Sequence, residues 1–307
     1  MTETAVKDVL IIGGGPAGLS ALLWCNDLGL SAILLDRGAE LGGQLLWIHN
    51  EIKNYPGRIA KNGREMRDHF LSNFERIEGQ VLLNAEVIAF DASKITATLA
   101  DGRVVKARAA VIATGLRRRR LGIPGEDKFV GRGILESGAG QRELVKGKRV
   151  AIIGGGDAAL ENALILSEFA KKVYVIHRRD IFKARESFVK QAKRASNVEF
   201  LLDQTVTSIN GDDFVRSIDV SSDREAQTIP IDLVLIRIGY IPNTELFRDQ
   251  VVLDESGYIV TGQSKDTISD SVFAVGDVAS KLSSTIASSV GAAACAIKMI
   301  SRGNSPI

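Results

Sequence analysis

Asp8-Val-Leu-Ile-Ile-Gly-Gly-Gly-Pro-Ala-Gly-Leu-Ser20 and Arg149-Val-Ala-Ile-Ile-Gly-Gly-Gly-Asp-Ala-Ala-Leu-Glu161 align without a gap, every matched pair 141 positions apart. Each stretch starts with a β-branched run that reads as a buried parallel strand. A glycine turn follows, then apolar residues at helical spacing: Leu19, Leu22 and Leu23 in the first copy, Leu160, Ala163 and Leu164 in the second. Each copy closes on a second apolar run, Ala32 to Leu35 and Val173 to Ile176. Strand, turn, helix and strand occur twice, so the sequence encodes two βαβ dinucleotide-binding units. The predicted fold class is α/β, with two Rossmann-like domains.

The rest of the chain fits around these units. Residues 62–77 predict an amphipathic helix with Met66, Phe70 and Phe74 on one face. Val81 to Ala113 reads as short strands with an Asp101-Gly102 hairpin turn, and Val198 to Ile238 is strand-rich again. Thr285 to Ile300 reads as a closing helix. Pro124-Gly125 marks a crossing between domains and Pro242 a return, so the second unit is expected as an insertion. The expected boundaries are 1–116 with 242–307 for one domain and 117–241 for the other.

Composition narrows the function. The 307 residues are 45% hydrophobic and 25% charged, with a formal net charge of +2, which excludes a chain-wide polyanion binder. Two cysteines exclude a disulfide scaffold, and no metal-ligand spacing occurs. Apolar runs fall short of the roughly 18–20 residues that span a bilayer. The polar start, Met1 to Asp8, predicts no targeting peptide, and a cytoplasmic location is expected. His49, His69 and His177 form no hydrolase-like pair with Ser or Cys, and nucleic-acid binding has no support beyond one arginine run.

The glycine turns carry the first chemistry. Gly13, Gly15 and Gly18 match G-x-G-x-x-G; Gly154, Gly156 and Ala159 match G-x-G-x-x-A. In such turns the first glycine permits the bend, the second admits a pyrophosphate, and the third position keeps helix and strand close. Pro16 and Ala17, and Asp157 and Ala158, open the two helices whose N-termini face the phosphates. The residue 23 positions past the first glycine selects the ribose. In the first unit it is Asp36, followed by Arg37, and a carboxylate there accepts from a ribose diol and repels a 2′-phosphate. In the second it is His177, followed by Arg178 and Arg179, whose guanidinium forks suit the 2′-phosphate of NADPH. Lys183 and Arg185 add positive charge. The bland alternative for His177 is a surface residue with incidental charge.

Two further segments make the first ligand FAD. Ala113-Thr114-Gly115 ends a strand near the first turn. Phe273-Ala-Val-Gly276-Asp277 ends another in a carboxylate suited to a ribitol hydroxyl. The helix after Ser284, opening at Thr285 and Ile286, would aim its N-terminus at the flavin pyrimidine and favour negative charge there.

With these segments in place, the chain resembles the low-molecular-weight thioredoxin reductase family of flavoproteins over nearly its whole length. The resemblance rests on Gly13-Gly-Gly-Pro-Ala-Gly18, Leu41-Gly-Gly43-Gln44, Asn54-Tyr-Pro-Gly57, Ala113-Thr-Gly115, Leu121-Gly-Ile-Pro-Gly125, Gly154-Gly-Gly-Asp157, His177-Arg-Arg-Asp180 and Gly276-Asp277. It implies an FAD domain, an NADPH domain that swivels against it, and a homodimer. It also implies a redox-active Cys-x-x-Cys before the second glycine turn, which this chain lacks. The ungapped positions are Ser137 and Gly140, and the family's acid position is Gln141. The family's Arg-Gln pair before the last helix is replaced by Ser284 and Thr285.

The flavin itself is then the expected catalytic centre, passing electrons from NADPH to an acceptor outside the chain. Thioredoxin-reductase-like ferredoxin–NADP reductases share this layout, with a longer C-terminal tail over the flavin than Ser301-Arg-Gly-Asn-Ser-Pro-Ile307 provides. Arg117-Arg-Arg-Arg120 reads either as a docking field for a small acidic electron-transfer protein of ferredoxin or flavodoxin type, or as a solvated turn. The docking reading expects Glu at Arg118 and Arg119 to slow reduction of an acidic carrier. The acceptor otherwise is a quinone, another small molecule or oxygen. Two alternatives stay open: a disulfide reductase using a partner's thiols, and a non-catalytic flavoprotein scaffold or redox sensor. Cys25 and Cys295 read as packed small residues, and Trp47, His49 and Tyr55 as either flavin cover or ordinary packing.

Overall fold

The structure is a computed structural model that describes residues 6–73, 80–223, 225–267 and 269–303. The chain forms two compact units, residues 1–117 with 241–307 and residues 118–240.

The first unit opens with β1 (Lys7–Ile12), α1 (Pro16–Asp27) and β2 (Ala32–Leu35). After α2 (Gly63–Leu71) come β3 (Gln80–Leu82), β4 (Val87–Asp91), β5 (Thr96–Leu99) and β6 (Val104–Ile112). The order in the sheet is β3-β2-β1-β6-β5-β4. β6 serves two purposes, and its burial shows why. Its first half alternates exposed and buried residues and pairs antiparallel with β5; from Ala109 on it is buried throughout. That is the change from a half-solvated antiparallel ladder to a parallel strand covered on both faces. Successive residues of β1 feed opposite cores: Val9 and Ile11 pack with Leu19, Leu22 and Ile297, while Leu10 and Ile12 pack with Phe90 and Phe247.

The helix predicted over 62–77 is shorter in the structure. Asn62 caps it, its side chain accepting from Glu65 N at 2.9 Å, and Glu65 in turn accepts from Lys61 N at 2.8 Å. It stops at Leu71 because Ser72 and Asn73 take over its last carbonyls: Ser72 Oγ donates to His69 O, and Asn73 Nδ2 to His69 O and Phe70 O. Met66 is buried, Phe70 partly so, and Phe74 lies outside the described residues. In α1 the expected apolar face is Leu19 and Leu22 only, since Leu23 is exposed.

The chain leaves the first unit along β7 (Leu116–Arg118). The second unit contains β8 (Ile134–Leu135), β9 (Arg149–Ile153), α3 (Asp157–Ser167), β10 (Lys172–His177), α4 (Glu186–Arg194) and β11 (Val198–Leu202). These are followed by β12 (Thr205–Gly211), β13 (Val215–Ser221), β14 (Ala226–Pro230) and β15 (Leu233–Ile236). A parallel sheet of order β11-β10-β9-β15-β8 carries α3 and α4 on one face and the antiparallel β12-β13-β14 sheet on the other. β9 divides its side chains as β1 does: Val150 and Ile152 face the helices, Ala151 and Ile153 the antiparallel sheet. The chain returns along β16 (Tyr240–Pro242), which pairs with β7. β17 (Val272–Ala274) then joins the first sheet parallel to β6, and α5 (Ile286–Gly303) packs on α1.

Candidate functional site

In the first unit, β1 ends in the glycine turn and α1 begins at Pro16 with Gly15 as its cap. A Cβ on Gly18 would fall 1.8 Å from Gly13 O, so only glycine lets α1 sit this close to β1. Gly15 is different. A Cβ there would meet only Gly43 Cα, at 3.9 Å, leaving open space before the α1 N-terminus. The missing side chain thus serves a visitor and not the packing. Gly43 starts a one-turn helix, Gly43–Trp47, and Gly42 N donates to Gly14 O, holding that segment against the turn.

Asp36 follows β2 and is committed on both oxygens: Oδ2 accepts from Gly14 N and Oδ1 from Gly38 N, each at 2.6 Å. It therefore shapes the turn, and each oxygen keeps a lone pair free for a further donor. Arg37 beside it is exposed. Asp277, past β17, accepts from Gln44 Nε2 at 2.9 Å, which joins two distant segments at one place. Burial pushes the Asp277 carboxyl above its ordinary value, and the Gln44 bond opposes that. Thr285 caps α5, its Oγ1 accepting from Ser288 N at 3.2 Å, and Ile286 begins the helix.

Ala113, Thr114 and Gly115 end β6, and Asn243, which the sequence reading did not single out, clamps them. Its Nδ2 donates to Thr114 O at 2.7 Å, its N to Gly115 O, and its carbonyl accepts from Thr114 Oγ1. The available signal was Asn243 directly after the return-marking Pro242. Of the aromatic candidates, Trp47 is 54% exposed, His49 is exposed, and Tyr55 packs on Phe70.

In the second unit the α3 cap, Gly156, has nothing within 4 Å of where its Cβ would lie. The turn is otherwise closed. Lys183 N donates to Gly155 O at 2.8 Å, and the Asp157 carboxylate accepts from Arg185 N and Nε, so Asp157 and Arg185 neutralise each other. Ala158 is exposed at the first turn of α3 and Ala159 is buried under it.

His177 is built into the second glycine turn. Its ring covers Gly155, where a Cβ would fall 2.4 Å away, stacks on Phe182 at 5.5 Å, and bonds Ile181 O through Nε2 at 3.1 Å. Burial, with the Arg179 and Arg178 charges behind it, lowers its pKa despite the Ile181 bond. His177 is packed into the loop and over the glycine turn, so it is not a free surface residue. Arg178, Arg179 and Lys183 are exposed, and among the described residues they make no ion pair. Three cations therefore stand free beside the open turn.

The run Arg117–Arg120 does not form one field. Arg117 pairs with Glu245 and donates to Asn243 Oδ1 at 2.9 Å. Arg120 pairs with Asp127 and, at 3.6 Å, with the buried Glu126. Local carboxylates take up both outer charges, leaving Arg118 and Arg119.

Ser137 is buried, and its Oγ accepts from Gly140 N at 3.1 Å; Gln141 Oε1 accepts from Glu136 N and Ser137 N. The turn at the family's cysteine positions is thus satisfied internally. Cys25 and Cys295 are free thiols on α1 and α5, and burial pushes Cys25 up to about 12. Among the described residues no cluster of metal-ligating side chains occurs, and no helix is long and apolar enough to cross a membrane.

A model of the family described as pyridine nucleotide-disulphide oxidoreductase matches residues 7–298. The chain belongs to that family. Thioredoxin reductase of Listeria innocua serovar 6a is 33% identical over 293 residues, covering 94% of this chain and 91% of the relative. Thioredoxin reductase of Streptomyces coelicolor is 35% identical over 279 residues, covering 89% and 86%. The crystal structure of Lactococcus lactis thioredoxin reductase superposes with a TM-score of 0.83 at 30% identity, covering 96% of this chain and 98% of that one. The α/β fold with paired Rossmann-like units is that of thioredoxin reductases. This family member is thus a thioredoxin reductase-like oxidoreductase, of a family that uses FAD and NADPH.

Proposed function

We propose that this chain is an NADPH-dependent FAD oxidoreductase that hands electrons to an acceptor outside itself, without a disulfide of its own. The observation that carries the reading is the Ser137–Gly140 turn, which is bonded internally and has no thiol, while the two cysteines lie on other elements as free thiols. FAD fits the first unit because the space before Gly15 is open and Asp36, Gln44 and Asp277 converge on that end of the sheet. NADPH fits the second because Gly156 leaves its helix N-terminus open and Arg178, Arg179 and Lys183 make no ion pair among the described residues.

A bound flavin supplies hydride acceptance from NADPH and onward release of electrons. The protein's part is binding and exclusion. The first turn of α1 presents N–H donors to phosphates, Asp36 accepts from ribose hydroxyls, and Asp277, poised by burial and Gln44, accepts from a polyol. Arg178 and Arg179 select a 2′-phosphate over a bare ribose diol.

The acceptor is external, and with Arg117 and Arg120 paired internally the argument for an acidic carrier rests on Arg118 and Arg119 alone. A second reading, a partner's disulfide as acceptor, is favoured by relatives named thioredoxin reductase. The test is anaerobic titration of the purified yellow protein with NADPH and NADH, followed by ferredoxin, flavodoxin, thioredoxin, quinone and oxygen. Bleaching by NADPH at least tenfold more efficient than by NADH is expected. Failure of both to bleach the flavin would overturn the reading. The homodimer implied by the resemblance predicts twice the 33.0 kDa chain mass by sedimentation.

A further inference from the structure

The first unit has a recess that the flavin reading leaves without a task. It measures about 220 Å³ and lies where residues 261–265 and β17 meet α5. Gly15, Asp36, Gln44 and Asp277 are not among its lining residues. Alanines and glycines give it small walls, and Lys265, Thr261, Ser280 and Ser288 supply its polar groups. Gly291 keeps it open along α5, with nothing within 4 Å of where its Cβ would lie.

Lys265 is the one charged residue of that lining. Its backbone is left-handed, with φ at +70°, and is fixed from both sides: its N donates to Gly262 O at 3.2 Å, and its O accepts from Ala274 N at 3.0 Å. A residue with a side chain avoids that conformation unless its surroundings impose it. The imposed bend leaves Lys265 half-buried in the wall of the recess, where most lysines reach into water. Among the described residues its ammonium makes no ion pair or hydrogen bond. A half-buried charge without a counter-ion costs free energy that a bound anion returns.

The hydroxyls narrow the choice of anion. Ser280 and Ser288 spend their protons on Ser283 O, at 3.0 and 2.6 Å, so each offers the recess an acceptor. Thr261 Oγ1 makes no hydrogen bond among the described residues and is free to donate. One ammonium and one hydroxyl donor match a single carboxylate better than a multiply charged phosphate, and the serine oxygens call for donors elsewhere on the ligand. The volume holds about ten non-hydrogen atoms, which excludes a nucleotide.

We propose that this recess binds a small hydroxycarboxylate, with its carboxylate on Lys265 and Thr261 and its hydroxyls on Ser280 and Ser288.

Calorimetric titration of the full-length protein, as purified, with D-glycerate, butyrate, glycerol and inorganic phosphate tests it. D-Glycerate is expected to bind with a Kd of about 1 mM, about fivefold or more tighter than butyrate, which lacks hydroxyls, or phosphate; glycerol, which lacks charge, is expected to give no binding heat. Lys265→Met should weaken D-glycerate about tenfold. Gly291→Leu should weaken it at least as much by filling the recess. Leucine suits a helix better than glycine, so this variant stands in if Lys265→Met does not fold. A wild type that binds D-glycerate no better than glycerol overturns the proposal. Unchanged D-glycerate affinity in either folded variant overturns it too, because the ligand then sits elsewhere. Phosphate or butyrate binding as tightly as D-glycerate also overturns it, since the recess would then not read a hydroxycarboxylate.

Discussion

Glycines with the same sequence signature divide into two physical kinds. Gly18 is a packing residue: a Cβ there would drive into Gly13 O at 1.8 Å. Gly18→Ala should cost at least about 2 kcal/mol of stability, read by denaturant unfolding. Gly156 has open space where its Cβ would be, and the proposed function gives that space to the ligand. Gly156→Ala should leave the unfolding midpoint within about 0.5 kcal/mol of wild type and still weaken NADP⁺ at least tenfold by calorimetry. The motif spacing already gave the third position to packing and the second to the ligand, and the backbone facing Gly18 and the open space at Gly156 supply the physical reason for each. The thiols separate in the same way. Cys25 is buried and held as a thiol by its surroundings, so a disulfide-exchange reagent at pH 8 should titrate at most one thiol in the native protein and two after denaturation.

At the level of elements, β9 is tied to the start of β15 by one ion pair. Arg149 donates to Asp232 through N, Nε and Nη2, at 2.8, 3.1 and 2.9 Å. The side-chain bond to Arg149 comes first among the causes that hold the Asp232 carboxyl below its ordinary value, with burial opposing. A depressed carboxyl stabilises the fold above its unfolded value, near 3.9, and that contribution is lost as pH falls through the lower folded value. Asp232→Asn should therefore destabilise the protein by about 1 kcal/mol at pH 7, the partial exposure of the pair keeping the figure modest, and the gap to wild type should close below about pH 4. The strands and helices of the two repeats were legible because apolar runs of fixed spacing leave few alternatives. The end of α2 was not, because Ser72 and Asn73 stop it by binding carbonyls, a local competition that periodicity does not record. The dispersal of Arg117–Arg120 was hidden for a similar reason: Glu245 and Asp127 reach the run through the fold, Glu245 from 128 residues away.

Across the whole molecule, a dinucleotide turn that occurs twice in one chain carries the family architecture in the sequence, and the relatives share it over nearly their full lengths. What the sequence held less openly is the pairing of residues from the two ends of the chain, as in Gln44 with Asp277 and Thr114 with Asn243. These contacts depend on the return of the chain after residue 240, and no local pattern predicts them. Electron capacity is a property at this scale. A chain with a flavin and a disulfide takes up four electrons, and one with a flavin alone takes up two.

The most direct measurement is therefore an anaerobic reductive titration of the wild-type protein beside a Cys25→Ser, Cys295→Ser double variant. The account predicts full bleaching at one NADPH per flavin in both proteins, with superimposable curves. A wild type that consumes two NADPH per flavin, against one for the variant, would contradict it by revealing a working disulfide in this chain.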